Sequence, residues 1–162
     1  SREVQAKNMA NSMIELATMG AGVVPPMPCV IVGKAYKPLV PYDAGSPSML
    51  VGHYVEEAGV DLHYYDEVME ELPPQDILDK PAVYLLAHNP EITYGEQLDF
   101  VKGWYDEHRV TGADEALTVA TANGTKLNFA EGSIIVDPWR KIPPMEGVQV
   151  IHYGNTRHGA LR

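Results

Sequence analysis

Apolar residues near the start of the chain recur every three or four positions. The recurring positions are Ala6, Met9, Ala10, Met13, Ile14 and Ala17, with the polar residues Lys7, Asn8, Asn11 and Ser12 between them. This spacing places the apolar side chains on one face of a helix and predicts an amphipathic helix over residues 3–19. Gly20 and Gly22 are expected to end it.

Beyond residue 24 the pattern changes to short runs that are apolar at every position. The runs are rich in β-branched residues and bounded by Pro or Gly, which predicts buried strands at residues 29–32, 62–65, 82–86, 134–136 and 148–151. Two helices are predicted between them. One begins at Ser46 as N-cap with Pro47 in the first helical position and ends at Gly59. The other covers residues 96–108, where Leu98 and Trp104 share one face.

Strands that are apolar throughout and alternate with helices are typical of a parallel sheet covered on both sides. The predicted class is α/β, a Rossmann-like open and mostly parallel sheet with helices on both faces, preceded by the N-terminal amphipathic helix. Residues 112–129 fit poorly, because two short runs flank Ala122-Asn123-Gly124 as in a hairpin. We therefore expect an N-terminal helix at 1–24, a domain at 25–155 containing this insertion, and a tail at 156–162.

Composition narrows the classes of partner. The chain has 162 residues, enough for one core, and its formal net charge of −10 leaves no large basic surface for the backbone of DNA or RNA. No run approaches the roughly 20 apolar residues that span a bilayer, and the start lacks a signal-peptide layout. We expect a cytoplasmic protein that binds neither nucleic acid nor membrane. A single Cys excludes an internal disulfide.

Ligands of open α/β sheets bind outside the carboxyl ends of the strands, so the loops there are the candidate sites. The loop after the first strand, residues 33–38, lacks both the Gly-x-Gly-x-x-Gly fingerprint and a phosphate-binding Gly-Lys-Ser/Thr, so NAD should not bind it in the usual way. Gly33, Lys34, Tyr36 and Lys37 nevertheless offer backbone amides, positive charge and an aromatic face to a phosphorylated ligand. A solvated turn with two surface lysines is the alternative.

Two later loops carry further candidates. His88-Asn89-Pro90 follows the third strand, and Asp137-Pro138-Trp139-Arg140 follows the fourth. Either is compatible with a plain capped loop, although the Arg140 guanidinium could hold a phosphate through two hydrogen bonds. Cys29, at the opposite end of its strand, is expected to be a small buried hydrophobe. No His pairs with a carboxylate or Cys at metal-ligand spacing, so no metal site is predicted.

Five segments in order resemble the UDP-glucose/GDP-mannose dehydrogenase family in its C-terminal, nucleotide-sugar-binding domain. They are Val30-Ile31-Val32-Gly33-Lys34-Ala35-Tyr36-Lys37-Pro38, Ser46-Pro47 opening a helix, His63-Tyr64-Tyr65-Asp66, Leu85-Leu86-Ala87-His88, and Ile135-Val136-Asp137-Pro138-Trp139-Arg140. The resemblance covers residues 28–153. It implies that residues 3–19 are the end of the helical region through which the family dimerises, so a homodimer is expected.

The resemblance also implies an activity and its residues. Members of the family oxidise the C6 alcohol of a nucleotide sugar to a carboxylate in two NAD-dependent steps. An N-terminal domain binds NAD and a central region carries the catalytic Cys, and neither segment is present here. By the family pattern Lys37, with Tyr36 beside it, and Arg140 would contact the nucleotide sugar, most simply a UDP-sugar. No catalytic residue is expected in this chain, which by itself should be inactive.

One departure from the family pattern bears on function. Where the family reads Thr-Asp-Asp-x-Arg-Glu, this chain has Val40-Pro41-Tyr42-Asp43-Ala44-Gly45, so the Arg is absent at Ala44. The alternative hypothesis is a non-catalytic interaction or oligomerisation domain, paired through the helix of residues 3–19. An independent enzyme using His88 and Asp137 has no residue spacing in its favour.

Overall fold

The computed structural model describes residues 2–19, 25–35, 46–94 and 117–152. Several predictions lie outside these ranges. They concern the ligand residues Tyr36 and Lys37, the substitution at Ala44, the helix of residues 96–108 and the tail of residues 156–162.

The described residues form three helices, α1 at Arg2–Thr18, α2 at Pro47–Glu57 and α3 at Gln75–Leu78. The prediction for residues 3–19 is confirmed to within one residue at each end. The start of α2 is also confirmed, because the Ser46 side chain accepts a hydrogen bond from the main-chain N–H of Ser48 at 3.2 Å and Pro47 takes the first helical position. Gly59 follows the helix with a φ of +81°, a conformation that favours glycine.

The strands within the described ranges form two sheets. They are β1 at Cys29–Val32, β2 at Leu62–Tyr65, β3 at Val83–Leu86, β4 at Glu91–Tyr94, β5 at Leu117–Ala120, β6 at Lys126–Leu127, β7 at Ile134–Val136 and β8 at Gln149–Ile151. Five of them make a sheet in the order β2-β1-β3-β7-β8, in which every neighbouring pair is parallel. The five predicted strands are these five, with β3 and β8 beginning one residue later than expected. The α/β class with a parallel sheet is therefore confirmed.

Helices α1 and α2 cover one face of the parallel sheet. Alternate strand residues point to this face, among them Ile31, Leu85 and Val136, and they share a core with Met13 of α1 and Val55 of α2. Burial of these side chains removes apolar surface from water and is the main stabilisation of this layer. The N-terminal helix and the sheet therefore share one hydrophobic core.

The opposite face is covered differently. Strands β4, β5 and β6 form a three-stranded antiparallel sheet in that order, and Val119 and Leu127 from it pack against Val30 and Tyr84 of the parallel sheet. The predicted hairpin is confirmed as the β5–β6 pair, whereas β4 was not foreseen. In the described ranges, helical cover on this face is the single turn of α3, because residues 117–127 have strand character and not the periodicity of a helix.

No helix among the described residues is long and apolar enough to cross a membrane.

Candidate functional site

The carboxyl ends of β1, β3 and β7 lie side by side in the parallel sheet. Between β1 and β3 the order reverses, since β2 lies on one side of β1 while β3, β7 and β8 lie on the other. In open α/β sheets the loops diverge at such a point and leave a crevice where ligands bind. The loops that begin at Gly33, Ala87 and Asp137 therefore border the expected location of a site.

Gly33 allows the first two of these loops to approach closely. Its φ is +107°, and a Cβ at this position would lie 2.5 Å from Cγ of the His88 ring. The ring of His88 therefore packs directly on the Gly33 backbone, where no other residue type would leave room for it.

Ala35 is fixed by three side chains from three different loop segments. Its N–H donates to Asp66 Oδ2 at 2.9 Å, and its carbonyl oxygen accepts from His88 Nε2 at 2.9 Å and from Ser46 Oγ at 3.4 Å. Because a carbonyl only accepts hydrogen bonds, Nε2 of His88 carries the proton. We call Asp66, Ser46 and His88 the Ala35 clamp, and it fixes the residue immediately before Tyr36 and Lys37.

Asp66 holds the whole turn after β1. Its Oδ2 also accepts from the main-chain N–H of Lys34 at 2.8 Å, and its Oδ1 accepts from Val68 at 3.1 Å and Met69 at 3.3 Å. The residue is only 7% exposed, so these bonds satisfy a buried carboxylate. The amides of Lys34 and Ala35, which the sequence offered to a phosphate, are therefore engaged with Asp66.

The side chain of Lys34 also has partners within the chain. Its Nζ lies 2.6 Å from Glu71 Oε1 and 5.0 Å from the centre of the Tyr64 ring. Both contacts stabilise the ammonium charge electrostatically. In this geometry Gly33 and Lys34 shape the loop, whereas the predicted contact of these two residues with a ligand would require the Asp66 and Glu71 contacts to open.

A second buried aspartate holds the loop after β7. Asp137 is fully buried, its Oδ1 accepts from the N–H of Trp139 at 2.9 Å, and its Oδ2 accepts from Lys141 at 2.7 Å and Ile142 at 2.8 Å. Arg140 adopts a φ of +55° and is exposed at the tip of this loop. The loop is thus held at its base by Asp137, and Arg140 is an exposed residue of it.

A cleft of about 850 Å³ opens at this edge between the first turns of α1 and α2. Its apolar walls include Ala6, Met9, Val51, Leu85, Ala87 and Pro138. Its polar lining includes Glu3, Gln5, Ser46, Ser48 and His53. Among the described lining residues there is no Lys or Arg, so the cleft walls favour an uncharged group over a phosphate.

Of the predicted ligand residues, the structure describes Gly33, Lys34 and Arg140, and none of these three lines the cleft, although residues next to them in sequence do. Ala35 lines the cleft and directly precedes Tyr36 and Lys37, while Pro138 lines it two residues before Arg140. The sequence did not reveal the Ala35 clamp, because its members are 11, 31 and 53 positions from Ala35. The one signal of this clamp in the sequence was Asp66, which directly follows the strand predicted at residues 62–65.

Cys29 has the structural role that the sequence suggested. It is fully buried at the start of β1, away from the carboxyl ends, and burial, with a smaller effect from the Asp61 carboxylate, raises the pKa of its thiol to about 12. A thiol with so high a pKa is not a nucleophile near neutral pH. No group of three or more His, Cys, Asp or Glu side chains in the described part of the chain is placed to share a metal ion.

Compared with protein-family models, with curated proteins and with solved structures, the chain matches none of them at a significant level. Its function is therefore inferred from the residues at the carboxyl edge of the sheet.

Proposed function

We propose that this chain is the nucleotide-sugar-binding portion of an NAD-dependent nucleotide-sugar 6-dehydrogenase. A UDP-sugar binds in the cleft, whereas the NAD-binding domain and the catalytic Cys lie outside this chain. The cleft itself carries the proposal, since it is bordered by Ala35, Ala87 and Pro138. Each of these residues belongs to a different segment of the family resemblance.

The strand order supports a Rossmann-like fold for this domain. In doubly wound sheets of the order β2-β1-β3-β7-β8 the ligand lies at the reversal between β1 and β3, which is where the cleft opens. The same site is a poor receptor for NAD, because the loop has no dinucleotide fingerprint and the amides of Lys34 and Ala35 already bind Asp66. A cytoplasmic location belongs to the same proposal.

Charge divides the ligand between two parts of the edge. Glu3 in the cleft wall would repel a diphosphate. The apolar walls of the cleft accept the sugar or the nucleoside. The proposed partners of the diphosphate are Lys37 and Arg140, because an ammonium and a guanidinium can pair with its oxygens. The chain as a whole carries a net charge of −10, so binding depends on these two local cations.

The experiment is a calorimetric titration of the chain with UDP, UDP-glucose and NAD. We expect UDP and UDP-glucose to bind and NAD not to bind. Lys37→Ala and Arg140→Ala should each weaken UDP about tenfold or more, the usual loss for a hydrogen bond to a charged group. Lys126→Ala is the matched control, since Lys126 is an exposed lysine on β6. Absence of heat with both uridine ligands at millimolar concentration would refute the proposal.

The interaction-domain hypothesis and the homodimer depend on α1. The apolar face of this helix, including Ala10 and Met13, is already buried within the chain, which favours ligand binding as the main function. Val4 of α1 and Met19, directly after the helix, are 58% and 62% exposed, and the dimer hypothesis pairs two copies through these side chains. Mass measurement in solution by light scattering, with Met19→Asp as the disrupting variant, tests this. A dimer that Met19→Asp dissociates, together with no nucleotide binding, would favour the interaction domain.

A further inference from the structure

The tip of the β5–β6 hairpin is the one place in the chain where an asparagine directly precedes a glycine. Asn123 and Gly124 are both exposed there. The main-chain N–H of Gly124 closes the turn by donating to the Thr121 carbonyl oxygen at 2.8 Å, and the φ of Gly124 is +92°. The hairpin loop favours glycine at this position because of the positive φ. The same choice leaves the amide nitrogen of Gly124 without a Cβ to shield it.

This nitrogen follows a side-chain amide that it can attack. When the nitrogen of Gly124 forms a bond to Cγ of Asn123, the bond from Cγ to Nδ2 breaks, and ammonia leaves with the proton that the Gly124 nitrogen gives up. The product is a succinimide ring. Water then opens the ring at one of its two carbonyl carbons, which gives either aspartate or isoaspartate at position 123. The net reaction consumes one water molecule and releases one ammonia molecule.

Thr121 acts on both reacting groups. Its hydroxyl accepts from the N–H of Thr125 at 3.1 Å and donates to Asn123 Oδ1 at 3.3 Å, so it withdraws electron density from Cγ as an oxyanion-hole donor does. Its carbonyl oxygen, in contrast, holds the Gly124 N–H, which must leave this hydrogen bond before the nitrogen attacks. An exposed hairpin tip opens locally without unfolding of the sheet. We therefore expect the fold to slow the reaction without blocking it.

The products would change the charge of a small cavity beside the carboxyl edge of the parallel sheet. Asn123 and Glu67 both line this cavity, as does His88. Glu67 Oε1 also accepts a hydrogen bond from the Thr125 hydroxyl, which ties the hairpin to the turn after β2, residues 66–71. A carboxylate at position 123 would repel the Glu67 carboxylate. Isoaspartate would in addition lengthen the main chain of the hairpin loop, because the chain then runs through Cβ and Cγ.

We propose that Asn123 is a site of spontaneous deamidation, and that its conversion to aspartate or isoaspartate loosens the β5–β6 hairpin from the turn after β2. The reactants are the chain itself and water, so the inference does not depend on the proposed function. Val119 and Leu127 of the hairpin cover one face of the parallel sheet. The modification therefore changes the cover of this face as the protein ages.

Peptide mapping by mass spectrometry tests the modification on the whole, folded chain. The chain is incubated at mildly alkaline pH, which favours loss of the Gly124 amide proton, and is compared with an unincubated sample. We expect the peptide containing Asn123 to gain the mass difference between NH2 and OH, and enzymatic methylation of isoaspartate to label the same peptide. Asn128 is the matched control, because it is also exposed in this segment but precedes Phe129. Conversion at Asn123 no faster than at Asn128 overturns the proposal.

A synthetic peptide of residues 119–127 gives the rate without the hairpin. We expect the peptide to convert faster than the folded chain, because its Gly124 N–H is not held by Thr121. Equal rates in the peptide and in the folded chain would overturn the control of the reaction by the hairpin.

Two variants test the effect on the hairpin. Asn123→Asp supplies the carboxylate directly, and Asn123→Ser is the neutral control that cannot deamidate. We expect the amides of Thr121 and Thr125 to exchange hydrogen about twofold to fivefold faster in Asn123→Asp than in Asn123→Ser, the range that exposed charge pairs reach. Adding Glu67→Gln to both variants should remove most of the difference. Equal exchange in the two variants, or a difference that Glu67→Gln does not reduce, overturns the loosening by charge.

Discussion

Substitution of Gly33 by alanine tests the contact on which the carboxyl edge is built. The added Cβ would lie 2.5 Å from Cγ and 2.7 Å from Nδ1 of His88, so the ring must move. Movement of the ring breaks the hydrogen bond from His88 Nε2 to the Ala35 carbonyl. The turn that leads into Tyr36 and Lys37 would then lose one member of the Ala35 clamp.

The expected cost follows from three contributions. A residue with a Cβ at a φ of +107° loses about 1–2 kcal/mol in backbone conformation. Displacement of a packed ring adds about 1–3 kcal/mol. Alanine also lowers the conformational entropy of the unfolded chain, which offsets about 0.4–1 kcal/mol of this cost. We expect Gly33→Ala to lower the free energy of unfolding by about 3 kcal/mol, a large share of the stability of an ordinary domain.

Urea unfolding followed by circular dichroism measures this loss, and the chain offers a matched control. Gly59 also has a positive φ, +81°, but a Cβ there would meet nothing within 4 Å. Gly59→Ala should therefore cost only about 1 kcal/mol, the backbone contribution less the unfolded-state gain. Adding His88→Ala to Gly33→Ala removes the overlap, so the double variant should be more stable than the sum of the two single losses predicts. Equal losses for Gly33→Ala and Gly59→Ala would refute the packing of the His88 ring on Gly33.

Three further predictions concern buried groups. Tyr84→Phe should raise the free energy of unfolding by about 1 kcal/mol, because the buried Tyr84 hydroxyl has no hydrogen-bond partner in the described structure. Burial, and to a lesser extent Tyr65, raises the pKa of Tyr84 from 10.0 to about 12. The unfolded chain therefore loses the Tyr84 proton at a lower pH than the folded chain does. The free energy of unfolding should fall as the pH rises from 10.0 to about 12. In urea titrations over this pH range, Tyr84→Phe should show a smaller fall than the wild-type chain. A thiol reagent should label Cys29 only in denaturant, since its pKa is about 12 and it is buried; rapid labelling of the native chain would contradict this. Asp137→Asn should cost about 2–3 kcal/mol because the new amide group faces main-chain donors, whereas exposed Asp76→Asn should cost little in the same assay.

Local pattern was sufficient to predict the elements of the parallel sheet. Continuous β-branched runs such as Cys29–Val32 mark buried strands, and the Ser46-Pro47 cap with a glycine at position 59 marks both ends of α2. Each of these signals acts within a few residues. The hairpin at β5 and β6 was visible for the same reason, through the turn residues between its strands.

Contacts between distant segments could not be predicted in this way. Strand β4 has one large aliphatic residue, Ile92, and is a strand because it pairs with β5, in which Leu117 faces Tyr94. The contact of His88 with Ala35 spans 53 positions and depends on the parallel register of β1 and β3. The resemblance placed ligand residues in the loops but could not show that Asp66 already occupies two of their amides.

The position of α1 has a mechanical consequence. Its first turn forms one wall of the cleft through Glu3 and Ala6, and its later turns are fixed in the core through Met13 and Ala17. The later turns of the helix are therefore fixed, and its N-terminal turn lies beside the cleft. Any polypeptide joined to that end would be held at an angle set by the same helix that walls the cleft, so a change in that angle would change the width of the cleft.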